Sequence, residues 1–345
     1  MASLKAIRRK CVALLDAGII LGGIGEYYLR GDVSSRIRSS LLRLHCRTNG
    51  RGTALFTPIM RALRPPRPRA PASGVLGTIS VPEQDAITTA IERDGFYVFE
   101  KLLPKTLCDE IEAHARATPA QLENSDQLAL FDDKNPISKT YRLREEDIVR
   151  SPAIQQVMAD QSILAIAENY LKTLPILSCL NLWFSPSYGN APGADAAQQY
   201  HFDFDPPPVW LLFFVYLTDV GPDNGPHVYV RGSHKPGDPG MRDLLIRGYE
   251  RIPDEDIAAR YAAEDIVELH GKRGTILAVD TRGMHKGKMP VIGHRLIAQL
   301  TFSCPAFSGV HGRTTVLPDK LHPKLLQALA TSPDIYGVHF KRSAD

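Results

Sequence analysis

The sequence has no run approaching the roughly 20 apolar residues of a membrane-spanning helix, which excludes an integral helical membrane protein. It has only five cysteines, Cys11, Cys46, Cys108, Cys179 and Cys304, which are scattered and never in Cys-x-x-Cys spacing. That excludes a zinc knuckle and a disulfide framework, and it fits a reducing cytoplasm. No glycine-rich loop ends in Lys-Ser or Lys-Thr, which excludes a P-loop nucleotide site, and no segment repeats, which excludes a solenoid. Acidic residues are scarce at one end. Residues 1–73 hold 14 Lys/Arg against 3 Asp/Glu, a net of +11, and the remaining 27 against 35 give residues 74–345 a net of −8. A net-negative body disfavours nucleic acid as a partner. With 43% apolar and 23% charged residues over 345 positions, the chain can bury a sizeable core.

The charge asymmetry coincides with a change in texture. In the basic segment Leu4, Ile7, Cys11 and Leu14 recur at helical spacing, as in an amphipathic helix. Such a helix suits either packing on the acidic remainder or peripheral contact with an anionic membrane surface. Asp16 and the glycines at 22, 23 and 25 interrupt any signal-peptide pattern. Residues 64–75, rich in Pro and Arg, can be neither helix nor central strand and read as an extended linker. The expected division is therefore a basic extension with linker over 1–73 and a second domain over 74–345.

Beyond the linker, helices are expected from Pro82 to Asp94, where Gly95 stops the pattern, from about Pro104 to Arg116, and through much of 148–171. Strands follow at Phe96–Phe99, from Ile176, and at Val209–Leu217, His227–Val230, Thr275–Val279 and Leu296–Phe302. Many strands with turn punctuation indicate a β-sandwich or barrel with flanking helices, a mainly β, α+β protein. Residues 186–197, rich in Gly, Ala, Ser and Pro, are a lid candidate, and residues 236–271 read as a charged, partly helical insertion.

The chemistry concentrates around His201-Phe202-Asp203. Side chains at i and i+2 share one face of a strand, so His201 and Asp203 can hold one metal ion together. His285, in Asp280-Thr281-Arg282-Gly283-Met284-His285, is the candidate third ligand. Two imidazoles and one carboxylate leave coordination positions open for a bidentate co-substrate and O₂, as in non-haem Fe(II) oxygenases. Asp205, Asp219, His227, His234 and His294 are competing ligands; prolines at 206–208 end the strand just after Asp205. On the later strand Arg295, Gln299 and Thr301 share one face, with Leu296, Ala298, Leu300 and Phe302 on the other. An inward arginine needs an anion, and its rigid fork matches a carboxylate. If a 2-oxo acid chelates the metal, its distal carboxylate is that anion. Asn181, expected inward with Leu177, Cys179 and Trp183, and Gln199, two residues before His201, are further candidate contacts for this co-substrate.

The ordered set of His-x-Asp, a distal His and an Arg ten residues on resembles the phytanoyl-CoA dioxygenase family of Fe(II)/2-oxoglutarate oxygenases. The resemblance extends to Asp223-Asn224-Gly225-Pro226-His227-Val228-Tyr229-Val230-Arg231-Gly232-Ser233-His234-Lys235 and to Arg93-Asp94-Gly95-Phe96-Tyr97-Val98-Phe99-Glu100. It implies a cupin-like double-stranded β-helix, or jelly-roll. It also implies Fe(II), 2-oxoglutarate and O₂ as cofactors, and hydroxylation of a small-molecule or acyl substrate with release of succinate and CO₂. Related halogenases carry a small residue in place of the carboxylate, so Asp203 points to hydroxylation or an allied oxidation. Arg231, Lys235, Lys286 and Lys288 are candidate contacts for an anionic substrate. Two other readings stay open: a jelly-roll that binds a metal or ligand without turnover, and a membrane-surface or scaffold protein led by the basic segment.

Overall fold

The computed structural model describes residues 2–30, 34–189, 198–203, 210–246, 251–304 and 315–342. Helices α1 (Ala2–Arg30) and α2 (Ser35–Thr48) lead into the body, where α3 (Val81–Asp94), α4 (Lys105–Ala117), α5 (Gln161–Leu171) and α6 (Met241–Ile246) surround the strands. The strands that build the centre are β1 (Phe96–Val98), β2 (Ala120–Leu122), β3 (Leu128–Ala129), β4 (Tyr141–Arg142), β5 (Ile176–Pro186) and β6 (Trp210–Tyr216), followed by β7 (His227–Val230), β8 (Ile266–Leu269), β9 (Ile276–Val279), β10 (His285–Gly287) and β11 (His294–Ser303). One antiparallel sheet has the order β1-β9-β6-β11-β5-β4-β2-β3 and a smaller one the order β8-β7-β10. The chain passes from one sheet to the other and back, so strands adjacent in sequence are seldom paired. This is the expected jelly-roll with flanking helices.

Period-two alternation explains the layers. Leu296, Ala298, Leu300 and Phe302 of β11 join Leu211, Phe213 and Val215 of β6 on the face that packs against Ile91, Ile111 and Ile163 of the helices. The opposite face, with Leu212, Phe214, Tyr216 and Ile297, meets Tyr229 and Leu269 of the smaller sheet. One expected face is corrected. Leu177 lies on the helix side rather than with Trp183, because the β5–β11 register shifts between Thr301 and Phe302, and an irregularity there turns the alternation over.

Local signals fix the entry to the sheet. Ser80 and Glu83 form a capping box at the start of α3, and Gly95 ends it with φ 91°. A side chain at Gly95 would also strike the Tyr229 hydroxyl, so the helix can turn straight into β1 only with glycine there. The insertion after residue 236 contains α6 and, unexpectedly, β8, which pairs with β7 throughout its length; residues 247–250 fall outside the described residues.

The extension is packed on the body. Cys46 of α2 shares a core cluster with Tyr200, Phe202, Val228 and Met241, and the His45 ring stacks 6.1 Å from that of Phe202. Residues 64–71 are neither helix nor strand, as expected, and they lie along α5, with Arg67 paired to Glu168 at 2.8 Å.

Candidate metal centre

His201 and His285 are brought together by backbone. His201 N–H donates to the His285 carbonyl at 2.9 Å, and His285 N–H donates back to the His201 carbonyl at 2.8 Å. A closely bonded antiparallel pair puts both side chains on one face, and the two rings lie 4.3 Å apart. Two residues on, Asp203 N–H donates to the Thr281 carbonyl at 2.7 Å, so its carboxylate falls on the same face. Its oxygens lie 3.8 Å from His201 Nε2 and 3.7 Å from His285 Nε2. Among the described residues these three alone form a cluster of possible metal ligands, their atoms all within 4.8 Å of one another.

The proton positions suit a metal. Each imidazole Nδ1 faces a backbone carbonyl at 2.9 Å, that of Gln199 for His201 and that of Gly283 for His285. A carbonyl can only accept, so each Nδ1 carries a hydrogen, and the Nε2 atoms are the ones turned toward Asp203. Burial pushes the His201 pKa down to about 2, with the neighbouring His285 adding to the effect, which keeps the ring in the neutral form a ligand requires.

A buried network behind the site holds the segment that carries His285. Tyr229 donates its hydroxyl to the Asp280 carbonyl at 2.7 Å, Tyr170 to the Asp280 carboxylate at 2.5 Å, and Trp210 Nε1 to Thr281 Oγ1 at 2.8 Å. Burial opposes the charge on Asp280, but the adjoining Arg282 guanidinium outweighs it and holds that carboxyl below its usual range. Ser233 accepts from Met284 N–H at 2.8 Å, so the Gly-Ser-His-Lys turn anchors the ligand loop. His234 in that turn contacts the Glu92 carbonyl at 3.2 Å and is not a ligand.

The triad opens into a cavity of about 760 Å³. Arg295 is on its wall, as the strand pattern predicted, yet only 6% exposed. Its Nη1 donates to the Gly225 carbonyl, its Nε has no partner, and no carboxylate among the described residues pairs with it. Burial, which disfavours the charged form, lowers its pKa.

Other candidates fall elsewhere. The Asn181 and Gln199 side chains do not line the cavity. Asn181 Oδ1 accepts from Arg142 at 2.8 Å, whereas Gln199 acts through its carbonyl, and it is Gln198 that reaches the cavity wall. Asp219 accepts from Arg273 N–H, His294 meets Phe131 edge-on and lies tilted beside Phe184, and Asp205 and residues 190–197 of the lid candidate lie outside the described residues. Of the four proposed substrate cations only Lys288 lines the cavity, and Glu268 pairs with it at 2.8 Å. Arg231 pairs with Asp94 and Lys286 with Asp254.

Two residues gain importance. Arg142 lines the cavity with its guanidinium 5.4 Å above Trp183; its two-residue strand is too short to show periodicity in the sequence. His227, weighed only as a ligand, lies on the cavity wall with its ring 5.3 Å from that of His285 and its buried Nε2 unpartnered. Burial, with His285 and Arg295 nearby, holds it far below the usual histidine range, so it is neutral.

An open-faced His-Asp-His set inside a jelly-roll defines the class of mononuclear non-haem metal enzymes. The family model for phytanoyl-CoA dioxygenase (PhyH) matches residues 91–289, more than half of the chain. The chain belongs to the phytanoyl-CoA dioxygenase family of Fe(II)/2-oxoglutarate-dependent oxygenases. No curated protein sequence matches it. Among solved structures it is similar to iron-bound EctD from S. alaskensis, with 21% identity over 73% of this chain and 89% of that one, TM-score 0.47. It is also similar to SnoN, an alpha-ketoglutarate-dependent epimerase from nogalamycin biosynthesis, with 18% identity over 64% of this chain and 82% of that one, TM-score 0.42.

Proposed function

We propose that the protein hydroxylates a C–H bond of a small-molecule or acyl substrate, using Fe(II) held by His201, Asp203 and His285 together with 2-oxoglutarate and O₂. The donor set fits the ion: two imidazole Nε2 atoms and one carboxylate converge, and the Nδ1 of each ring is held by a backbone carbonyl. Bound iron would supply oxidative decarboxylation of 2-oxoglutarate to succinate and CO₂, coupled to oxidation of the substrate.

The observation that carries this reading is the orphaned charge of Arg295. A protein that merely binds metal has no reason to bury a guanidinium without a carboxylate, because the desolvation cost is left unrecovered. A dicarboxylate co-substrate anchored at its far end recovers it through charge-assisted hydrogen bonds and holds the reactants in one orientation. Asp203 occupies the carboxylate position, which supports hydroxylation over halogenation. Arg142, clear of any carboxylate among the described residues, offers the substrate a cation on the cavity wall.

The test is a substrate screen that reads succinate release from the Fe(II)-loaded protein with 2-oxoglutarate and O₂. Substrate-dependent succinate with a hydroxylated product supports the reading. Iron-loaded protein that binds 2-oxoglutarate but releases no succinate with any acyl, amino-acid or other small-molecule substrate would count against catalysis.

A further inference from the structure

Helix α1 is turned inside out. Its buried face carries Asp16, which pairs with Arg43 of α2 at 2.7 Å and lies 3.6 Å from Arg47, together with Ile20 against Ile37, Leu41 and Leu44. Between residues 12 and 29 the exposed described residues are Leu14, Leu15, Gly18, Leu21, Gly22, Gly25 and Leu29. At 100° per residue these fall within one third of the helix circumference, opposite Asp16, Ile20 and Gly23. The leucines are open to solvent: Leu14 is 73% exposed and Leu29 is 88% exposed. A side chain at Gly18, Gly22 or Gly25 would meet nothing within 4 Å among the described residues, so no described packing requires glycine there.

We propose that this face docks onto an anionic membrane surface. A contiguous apolar stripe rarely stays exposed unless something covers it. The charge of the surrounding segment selects the cover: residues 1–48, which hold α1 and α2, carry nine Lys/Arg against three Asp/Glu, a net of +6, so this face is repelled by the same face of another copy and attracted to negatively charged lipid. No described helix is long and apolar enough to cross a membrane. The contact is therefore interfacial, with α1 lying flat, its leucines among the acyl chains and its packed face still on α2.

Co-sedimentation of the full-length protein with vesicles tests this. Vesicles of phosphatidylcholine with phosphatidylserine are compared with phosphatidylcholine alone, at low and high salt. The wild type is expected to pellet with the anionic vesicles and to be released by salt. Leu14→Gln/Leu21→Gln/Leu29→Gln leaves the buried face untouched, so it should keep its fold and iron binding while losing vesicle affinity by about tenfold or more. Absence of binding by the wild type, or equal binding by the triple variant, overturns the proposal. If the wild type is instead a dimer in solution and the triple variant a monomer, with neither binding vesicles, the stripe is a contact between copies and the membrane assignment is wrong.

Discussion

The jelly-roll and the basic extension break the rule of apolar inside, polar outside in opposite directions. In the jelly-roll, ionisable groups are drawn inward: His201, His285 and Arg295 are each no more than 6% exposed, around a cavity they share. In the extension a carboxylate is inside and leucines are outside. Ordinary core explains neither. Each exception costs stability, and the proposed ligands would recover it, a metal with a dicarboxylate in one case and an apolar surface in the other.

The largest effect is expected in the jelly-roll. His201→Ala or His285→Ala removes a ligand without opening a core cavity, so iron binding and turnover should fall to background while the melting temperature of the metal-free protein stays near wild type. Iron titration and circular dichroism check both, and wild-type iron affinity would strike that residue from the triad. On the helix side of β11, where polarity is ordinary, the result should be the reverse. Leu296→Ala should cost about 2–5 kcal/mol in denaturant unfolding and leave the site chemistry intact once folded.

Removing residues 1–72 sharpens the comparison. Sequence alone suggests that residues 74–345 act independently, but α2 covers Phe202 and Tyr200, which flank His201 in an irregular segment held by isolated bridges rather than in the strand the sequence suggests. We expect the truncated protein to fold with stability lower by about 2–4 kcal/mol and to bind iron more weakly. Unchanged stability and iron affinity would show that the extension only docks. A smaller effect is expected at His227, whose unpartnered Nε2 lies on the wall beside His285. His227→Leu should weaken 2-oxoglutarate binding by roughly tenfold through a lost hydrogen bond, with His227→Gln recovering part of it. Smallest of all, His294→Ala on the outer face should leave co-substrate affinity at the wild-type value.

Much of this was legible in the sequence because it rests on local periodicity. His201 and Asp203 sit two apart, the alternation in β11 put Arg295 inward and His294 outward, and Gly95 marked the end of α3. What was not legible depends on partners remote in the chain. The irregularity that moves Leu177 arises from the β5–β11 pairing, and β8 looks like insertion until β7 lies beside it. Arg142 belongs to a strand of two residues, too short for any pattern. Gln199 and Asn181 were placed by spacing alone, and spacing cannot tell a side chain that faces the cavity from one that acts through its carbonyl or supports a neighbour.

In the proposed function Arg295 receives the far carboxylate of 2-oxoglutarate bound to iron. Titrating 2-oxoglutarate into the anaerobic Fe(II) protein, and following the metal-to-ligand charge-transfer absorbance, measures that contact without turnover. Arg295→Leu should bind iron nearly as the wild type does yet require at least about a hundredfold more 2-oxoglutarate, since a buried charge-assisted pair is worth several kcal/mol when one partner is removed. Arg295→Lys should recover only part of the loss, because it keeps the charge without the fork. Equal 2-oxoglutarate affinity in the wild type and Arg295→Leu would contradict the account.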